Sequence, residues 1–178
     1  LWFLASSGLP LRYEEEDFRK NFRISNVYSG QTIKTSLYRS GKTLEFETDI
    51  GLENAVPLEI FFFFLRKNFL QIINSRDFSF TLFLPLLAME LEEKGLPRSM
   101  SLIQMVVESK EDTIIEASLG SLEASRLIIV PRSRLLRALL PREKTNFEFI
   151  IANKKPHHIL QFKLGSTKHI LKEFNLPE

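Results

Sequence analysis

Residues 42–50 read Lys-Thr-Leu-Glu-Phe-Glu-Thr-Asp-Ile, with Leu44, Phe46 and Ile50 set against Glu45, Glu47 and Asp49. A period of two sends successive side chains to opposite faces, so this stretch predicts a strand with one wet face and one buried face. A second strand is expected at 31–39, and Ser40-Gly41 between the two is a two-residue connector suited to a hairpin. The pattern recurs in 77–84, where Phe78, Phe80, Leu82 and Leu84 alternate with Asp77, Ser79 and Thr81. It recurs again in 145–152, where Phe147, Phe149 and Ile151 alternate with Asn146 and Glu148. Further strands are predicted from residue 18 onward, where Phe22 and Ile24 share a parity with Asn26 and Tyr28, and at 101–109, 113–119, 122–130, 157–164 and 167–174. The connectors are Ser29-Gly30, Lys110-Glu111-Asp112, Gly120-Ser121, the segment 153–156 and Gly165-Ser166. Links this short serve antiparallel neighbours. The expectation is an all-β, mainly antiparallel chain: about nine strands in a single curved sheet or a partly open barrel, since large sheets curl or close to protect their edges.

The densest apolar run, Val56-Pro57-Leu58-Glu59-Ile60-Phe61-Phe62-Phe63-Phe64-Leu65-Arg66, interrupts that rhythm. Four consecutive Phe fit a buried strand or a helix, because a short apolar run does not fix its own period. Pro57 suits the first turn of a helix and Asn54 a position capping it. Leu58, Phe61, Phe62, Leu65 and Phe69 recur at helical spacing, with Glu59 and Arg66 free to point outward. One short helix packed on the concave face is therefore favoured. Residues 88–95 have helical propensity and a glycine stop, and 131–141 place Arg132, Arg134 and Arg137 among leucines between two prolines. Residues 1–17 read as an irregular lead-in, with Glu14-Glu15-Glu16-Asp17 as a solvated turn.

A chain of 178 residues without repeats or a low-complexity linker is expected to be a single β-rich domain, 1–178. Sixteen Phe beside three Tyr and one Trp supply apolar area with few polar handles, which suits a solid aromatic core or the lining of an apolar cavity. From residue 131 to the end, ten Lys/Arg face four Asp/Glu, so that part carries +6 and the first 130 residues −4 within a total of +2. Such a split suits an anionic surface or an acidic partner, with Arg132, Arg134, Arg137 and Arg142 as the basic surface. The absence of Cys removes disulfides, thiolate metal sites and a cysteine nucleophile. No apolar run is long enough for a transmembrane helix. The chain begins at Leu1, so its native N-terminus is expected to lie upstream, and the lack of a signal peptide carries no information.

Catalytic signals are weak. His157 and His158 are adjacent, so within a strand they would point to opposite faces and could not grip one ion together. His169 lies one hairpin away and could face either of them. No Ser sits in a G-x-S-x-G turn, and the seven Gly form neither a dinucleotide fingerprint nor a phosphate loop. Nucleic-acid binding needs exposed aromatics among the basic residues, whereas Phe147 and Phe149 alternate as core positions. The expectation is a non-enzyme with no cofactor, no metal site and no nucleic-acid partner.

The helix phrase 57–66, the run Glu116-Ala117-Ser118-Leu119-Gly120-Ser121-Leu122-Glu123-Ala124, then Phe147-Glu148-Phe149 and Pro156-His157-His158-Ile159-Leu160-Gln161-Phe162 occur in an order that resembles an uncharacterised family of mostly exported bacterial proteins, a domain of unknown function. The likeness runs over about 31–174, and neither the acidic start nor the basic 131–144 segment matches it. The resemblance implies a half-barrel similar in outline to periplasmic lipoprotein carriers, an exported or periplasmic location, and no activity. Together these readings predict a cell-envelope protein holding an apolar or lipid-like ligand, or a partner segment, with Phe46, Phe61, Phe62, Phe78, Phe80, Phe147 and Phe149 as its lining. The alternative is a structural or interaction domain with a filled core that meets a protein partner through an edge strand or the basic patch. A hydrolase stands behind both.

Overall fold

A computed structural model describes residues 2–3, 10–51, 55–117, 120–140 and 142–171. The chain is mainly β and mainly antiparallel. Strands β1 (Trp2–Phe3), β2 (Pro10–Asp17), β3 (Phe22–Ser29), β4 (Thr32–Arg39) and β5 (Lys42–Asp49) make one antiparallel sheet in sequential order. The other sheet runs β12-β11-β10-β9-β8-β7-β6, from β6 (Val56–Pro57), β7 (Ser79–Phe83), β8 (Leu102–Ala117), β9 (Gly120–Pro131), β10 (Phe147–Ala152), β11 (Ile159–Leu164) and β12 (Thr167–Ile170). Within it β6 and β7 are parallel, and β8 to β12 are antiparallel neighbours. The helices are α1 (Phe61–Lys67), α2 (Phe69–Asn74), α3 (Pro85–Glu93), α4 (Arg134–Leu139) and α5 (Arg142–Thr145). Contacts divide the chain into two compact units, Leu1–Phe61 with Thr81–Ile103, and Phe62–Phe80 with Gln104–Glu178.

The first unit is built on the predicted hairpin. Arg39 pairs with Lys42, and Ser40 (φ 51°) and Gly41 (φ 86°) make the tight turn whose twist matches that of the strands. On the inner face Ile24, Leu37 and Leu44 pack with Ala88 and Met89 of α3. Pro85 occupies the first turn of that helix, where its missing N–H costs nothing. Ion pairs Arg39–Glu90 (3.7 Å) and Lys42–Glu93 (3.2 Å) flank the contact. A second cluster joins Tyr28, Ile33, Ile50, Ala55 and Phe83.

In the second unit β8 and β9 form a long hairpin with an irregularity between Val107 and Ser109, and β10, β11 and β12 continue it. Leu65 of α1 and Phe69 and Ile72 of α2 are buried. Exposed Leu70 of α2 faces away from that core.

Several expectations are corrected. Among the described residues the strands number twelve and lie in two sheets, accompanied by α1 to α5 rather than one helix. Residues 101–109 and 113–119 do not form two strands: Lys110-Glu111-Asp112 stays extended inside β8, because its backbone keeps pairing with Leu127, Arg126 and Ser125 across the ladder. Glu14 to Asp17 is not a turn but the end of β2, where Arg12, Tyr13 and Arg23 bond the carboxylates. The 1–17 lead-in therefore contains strand, although residues 1 and 4–9 lie outside the described set. Phe18, expected in a strand, sits 84% exposed in a 3-10 turn whose N–H groups at Arg19 and Lys20 are capped by Asp17. Asn54 lies outside the described residues; the helix begins later, after a 3-10 turn at Leu58–Ile60.

Gly41 sits in backbone space where a Cβ costs about 1–2 kcal/mol. Gly41→Ala should lower the urea unfolding free energy by about that amount, with no steric contribution, since nothing lies within 4 Å of the added Cβ. An unchanged midpoint would mean that the turn relaxes into another type.

Candidate ligand-binding site

The alternation of β10 determines the second unit's chemistry. Phe147, Phe149 and Ile151 share one face of the strand, and Glu148 and Ile150 the other. Phe149 is the cross-strand partner of Phe162, and Phe162 of His169. Their rings stack in a row, Phe149 to Phe162 at 5.0 Å and Phe162 to His169 at 5.8 Å. Phe147 extends the row, 6.4 Å from Phe149 and 6.3 Å from Phe162. Phe62 of α1 stands edge-on to it, 5.7 Å from Phe149 and 5.0 Å from Phe162, in the geometry that aromatic quadrupoles favour. Phe147 and Phe149 are sealed, Phe162 is half-buried, and Phe62 remains 41% exposed.

Of the predicted lining, then, Phe62, Phe147 and Phe149 come together, and Phe162 and His169 join them. Phe78 and Phe80 make a separate cluster with Phe64, which lies 5.0 Å from Phe80 and 6.3 Å from Phe78. Phe61 is fully buried, and Phe46 lies half-buried on the sheet of the first unit. Phe162 and His169 were detectable only through hairpin register, which the Gly165-Ser166 turn fixes by setting Leu164 opposite Thr167.

The histidines differ from expectation. His157 and His158 precede β11 rather than lying in it, and His157 adopts a positive φ of 56°. Its ring is buried, with Nδ1 3.2 Å from the Ala152 carbonyl and its centre 4.5 Å from that of the Phe69 ring. Desolvation, then the Arg66 charge, pushes the His158 pKa down. Among the described residues no group of three or more His, Asp or Glu could hold a metal ion.

Arg137 bonds the Pro131 carbonyl and Glu108, whereas Arg132, Arg134 and Arg142 are exposed. Leu135 and Leu139 of α4 are exposed beside Arg134.

A feature the sequence did not announce lies in the first unit. Tyr13, Asn26, Thr35 and Phe46 form one cross-strand row over β2, β3, β4 and β5. Asn26 and Thr35 are buried in the middle of it, with Thr35 Oγ1 donating to Asn26 Oδ1 at 2.8 Å. Glu59, expected to point outward, turns in: Asn26 Nδ2 donates to its Oε1, and Tyr28 Oη to its Oε2 at 2.9 Å. The 3-10 turn redirects the side chain, and the donors of β3 make its burial tolerable. Burial raises the Glu59 pKa despite these bonds. Burial and the neighbouring Glu59 raise Tyr28, and burial and the neighbouring Glu15 raise Tyr13. Both oxygens of Glu59 are engaged by its own chain, so the carboxyl fastens the turn to β3.

A scan against protein-family models and searches of curated proteins and of solved structures found no match.

The Glu59 linkage has a definite sign. Its carboxyl is protonated in both states well below the ordinary 4.5; as pH rises the unfolded chain ionises first, and stability falls until the folded group ionises too. Glu59→Gln can accept from Asn26 and donate to Tyr28, so it should remove that decline in urea titrations run from acid to neutral pH. Glu59→Ala, which strands two donors, should cost about 1–3 kcal/mol. Parallel pH profiles for wild type and the Gln variant would contradict the assignment.

Proposed function

We propose that this chain is a non-enzymatic binding protein that holds an apolar, lipid-like chain against the aromatic face of β10, β11 and β12. One observation carries the reading: the ring row is closed at Phe147 and Phe149 and left open at Phe62, Phe162 and His169. The open end offers hydrocarbon surface with few polar groups, which suits an acyl chain better than a sugar or a nucleotide. In this reading that face is the concave side of a partly open barrel with α1 seated on it. A place in the cell envelope rests on the resemblance of 31–174 to exported proteins. The engaged oxygens of Glu59 and the enclosed ring of His157 support a binding role over catalysis.

A second reading has its own support. β12 ends the strand order of its sheet and all four of its residues are exposed, so a partner segment could add there by backbone pairing.

Native mass spectrometry before and after organic extraction tests the first reading. A stoichiometric adduct lost on delipidation and restored by a long-chain fatty acid is expected. Phe62→Ala and Phe162→Ala should each weaken rebinding roughly tenfold, the scale of one apolar side chain's worth of contact. An apo mass that stays unshifted after incubation with fatty acids and phospholipids would sink it and leave the edge-strand reading standing.

A further inference from the structure

Beside the ring row, the start of β10 and the turn between β11 and β12 border a cleft of about 680 Å³. Its lining is Ile128, Arg142, Asn146, Phe147, Glu148, Lys163, Gly165 and Ser166. Three of these come from one register row, Ile128 opposite Glu148 and Glu148 opposite Lys163. The charges there are not self-compensating. Glu148 accepts from Arg126 Nε at 2.9 Å, and Arg126 in turn reaches Glu111 at 3.4 Å. Arg126, two residues from Ile128 on β9, therefore holds the cleft's carboxylate. Lys163 sits opposite Glu148 in register but forms no ion pair with it, and Arg142 forms none either among the described residues. Two cations thus share the cleft with a carboxylate already paired to Arg126, the Asn146 amide and the Ser166 hydroxyl.

We propose that this cleft binds a phosphoryl group. A guanidinium offers paired N–H donors to two oxygens of a tetrahedral anion, and an ammonium adds a compact charge. Asn146 and Ser166 supply neutral donors, which suit the remaining oxygens. The cleft is larger than phosphate alone, and half-buried Ile128 gives the rest of the ligand an apolar wall. The phosphoryl group comes either from a lipid headgroup or from a soluble phosphate ester. This inference does not depend on acyl binding at the ring row.

The test is an amide NMR titration of the intact chain, with inorganic phosphate first, then glycerol 3-phosphate and dihexanoylphosphatidic acid below its micelle concentration. Saturable shifts at Gly165 and Ser166 are expected. Arg142→Gln and Lys163→Gln should each weaken binding roughly tenfold, as expected for a lost charge-assisted contact, and Lys155→Gln, at an exposed turn, should not. Glu148→Gln should strengthen binding by removing the negative charge. Tighter binding of the lipid than of the ester assigns a headgroup and equal affinity assigns a soluble ester; both support a phosphoryl site. Shifts that sodium chloride reproduces, or equal losses for Lys155→Gln and Lys163→Gln, would overturn it. All four replaced residues are solvated or half-exposed, and unchanged melting temperatures would confirm that the variants fold.

Discussion

A slip of one residue in β10 would exchange Phe147, Phe149 and Ile151 for Glu148 and Ile150 and put a carboxylate where buried rings now stand. Register is consequently the constraint on which the rest depends. Held by β9 on one side and β11 on the other, it places rings at Phe149, Phe162 and His169 in line on one face. On the opposite face it brings Glu111, Arg126 and Glu148 together, so the aromatic row and the ion network are two consequences of one alignment. The ion pairs are partly solvated and add little net stability on their own. Their greater effect is on specificity, because the slipped register would drive Glu148 into the rings.

The first unit solves a different problem. Its inner face is divided by the row of Asn26 and Thr35, which separates the cluster around Ile24, Leu37 and Leu44 from the cluster around Tyr28, Ile33 and Ile50. Tyr13 and Phe46 lie at the ends of that row and pack against both clusters. A polar row in a core is destabilising unless its groups are satisfied, and Thr35, Asn26, Tyr28 and Glu59 satisfy one another in a chain. The arrangement fixes one orientation for the turn that precedes α1, since no other residue of Leu58–Ile60 has a side chain that could accept from Asn26 and Tyr28.

What the sequence conveyed followed from how local each signal was. Hairpins at Ser40-Gly41 and Gly165-Ser166 were legible because two-residue turns and flanking alternation reinforce each other. The division of the β8 region was not, because Lys110-Glu111-Asp112 is a turn by composition, and only its partners on β9 keep it extended. Glu59 is the clearest case of a tertiary override: a charged residue beside Pro57 reads as solvated until the donors on β3 are known. The uneven charge of the chain was visible, but not that Arg137 would be spent on Glu108 while Arg142 forms no ion pair among the described residues.

The four consecutive phenylalanines show why residue type alone could not separate a filled core from a binding surface. A helix turns about 100° per residue, so neighbours in such a run diverge at once. Phe61 is fully buried, Phe62 meets the ring row edge-on, Phe63 is 55% exposed, and Phe64 turns to Phe78 and Phe80. In a strand the same run would have split into two faces of two. In the helix its rings enter different surroundings, and Phe62 stands both in contact with a buried aromatic row and open to solvent. That combination, rather than the number of phenylalanines, is what makes a surface able to accept an apolar guest: sealed rings hold the shape, and an exposed ring leaves contact area still to be gained.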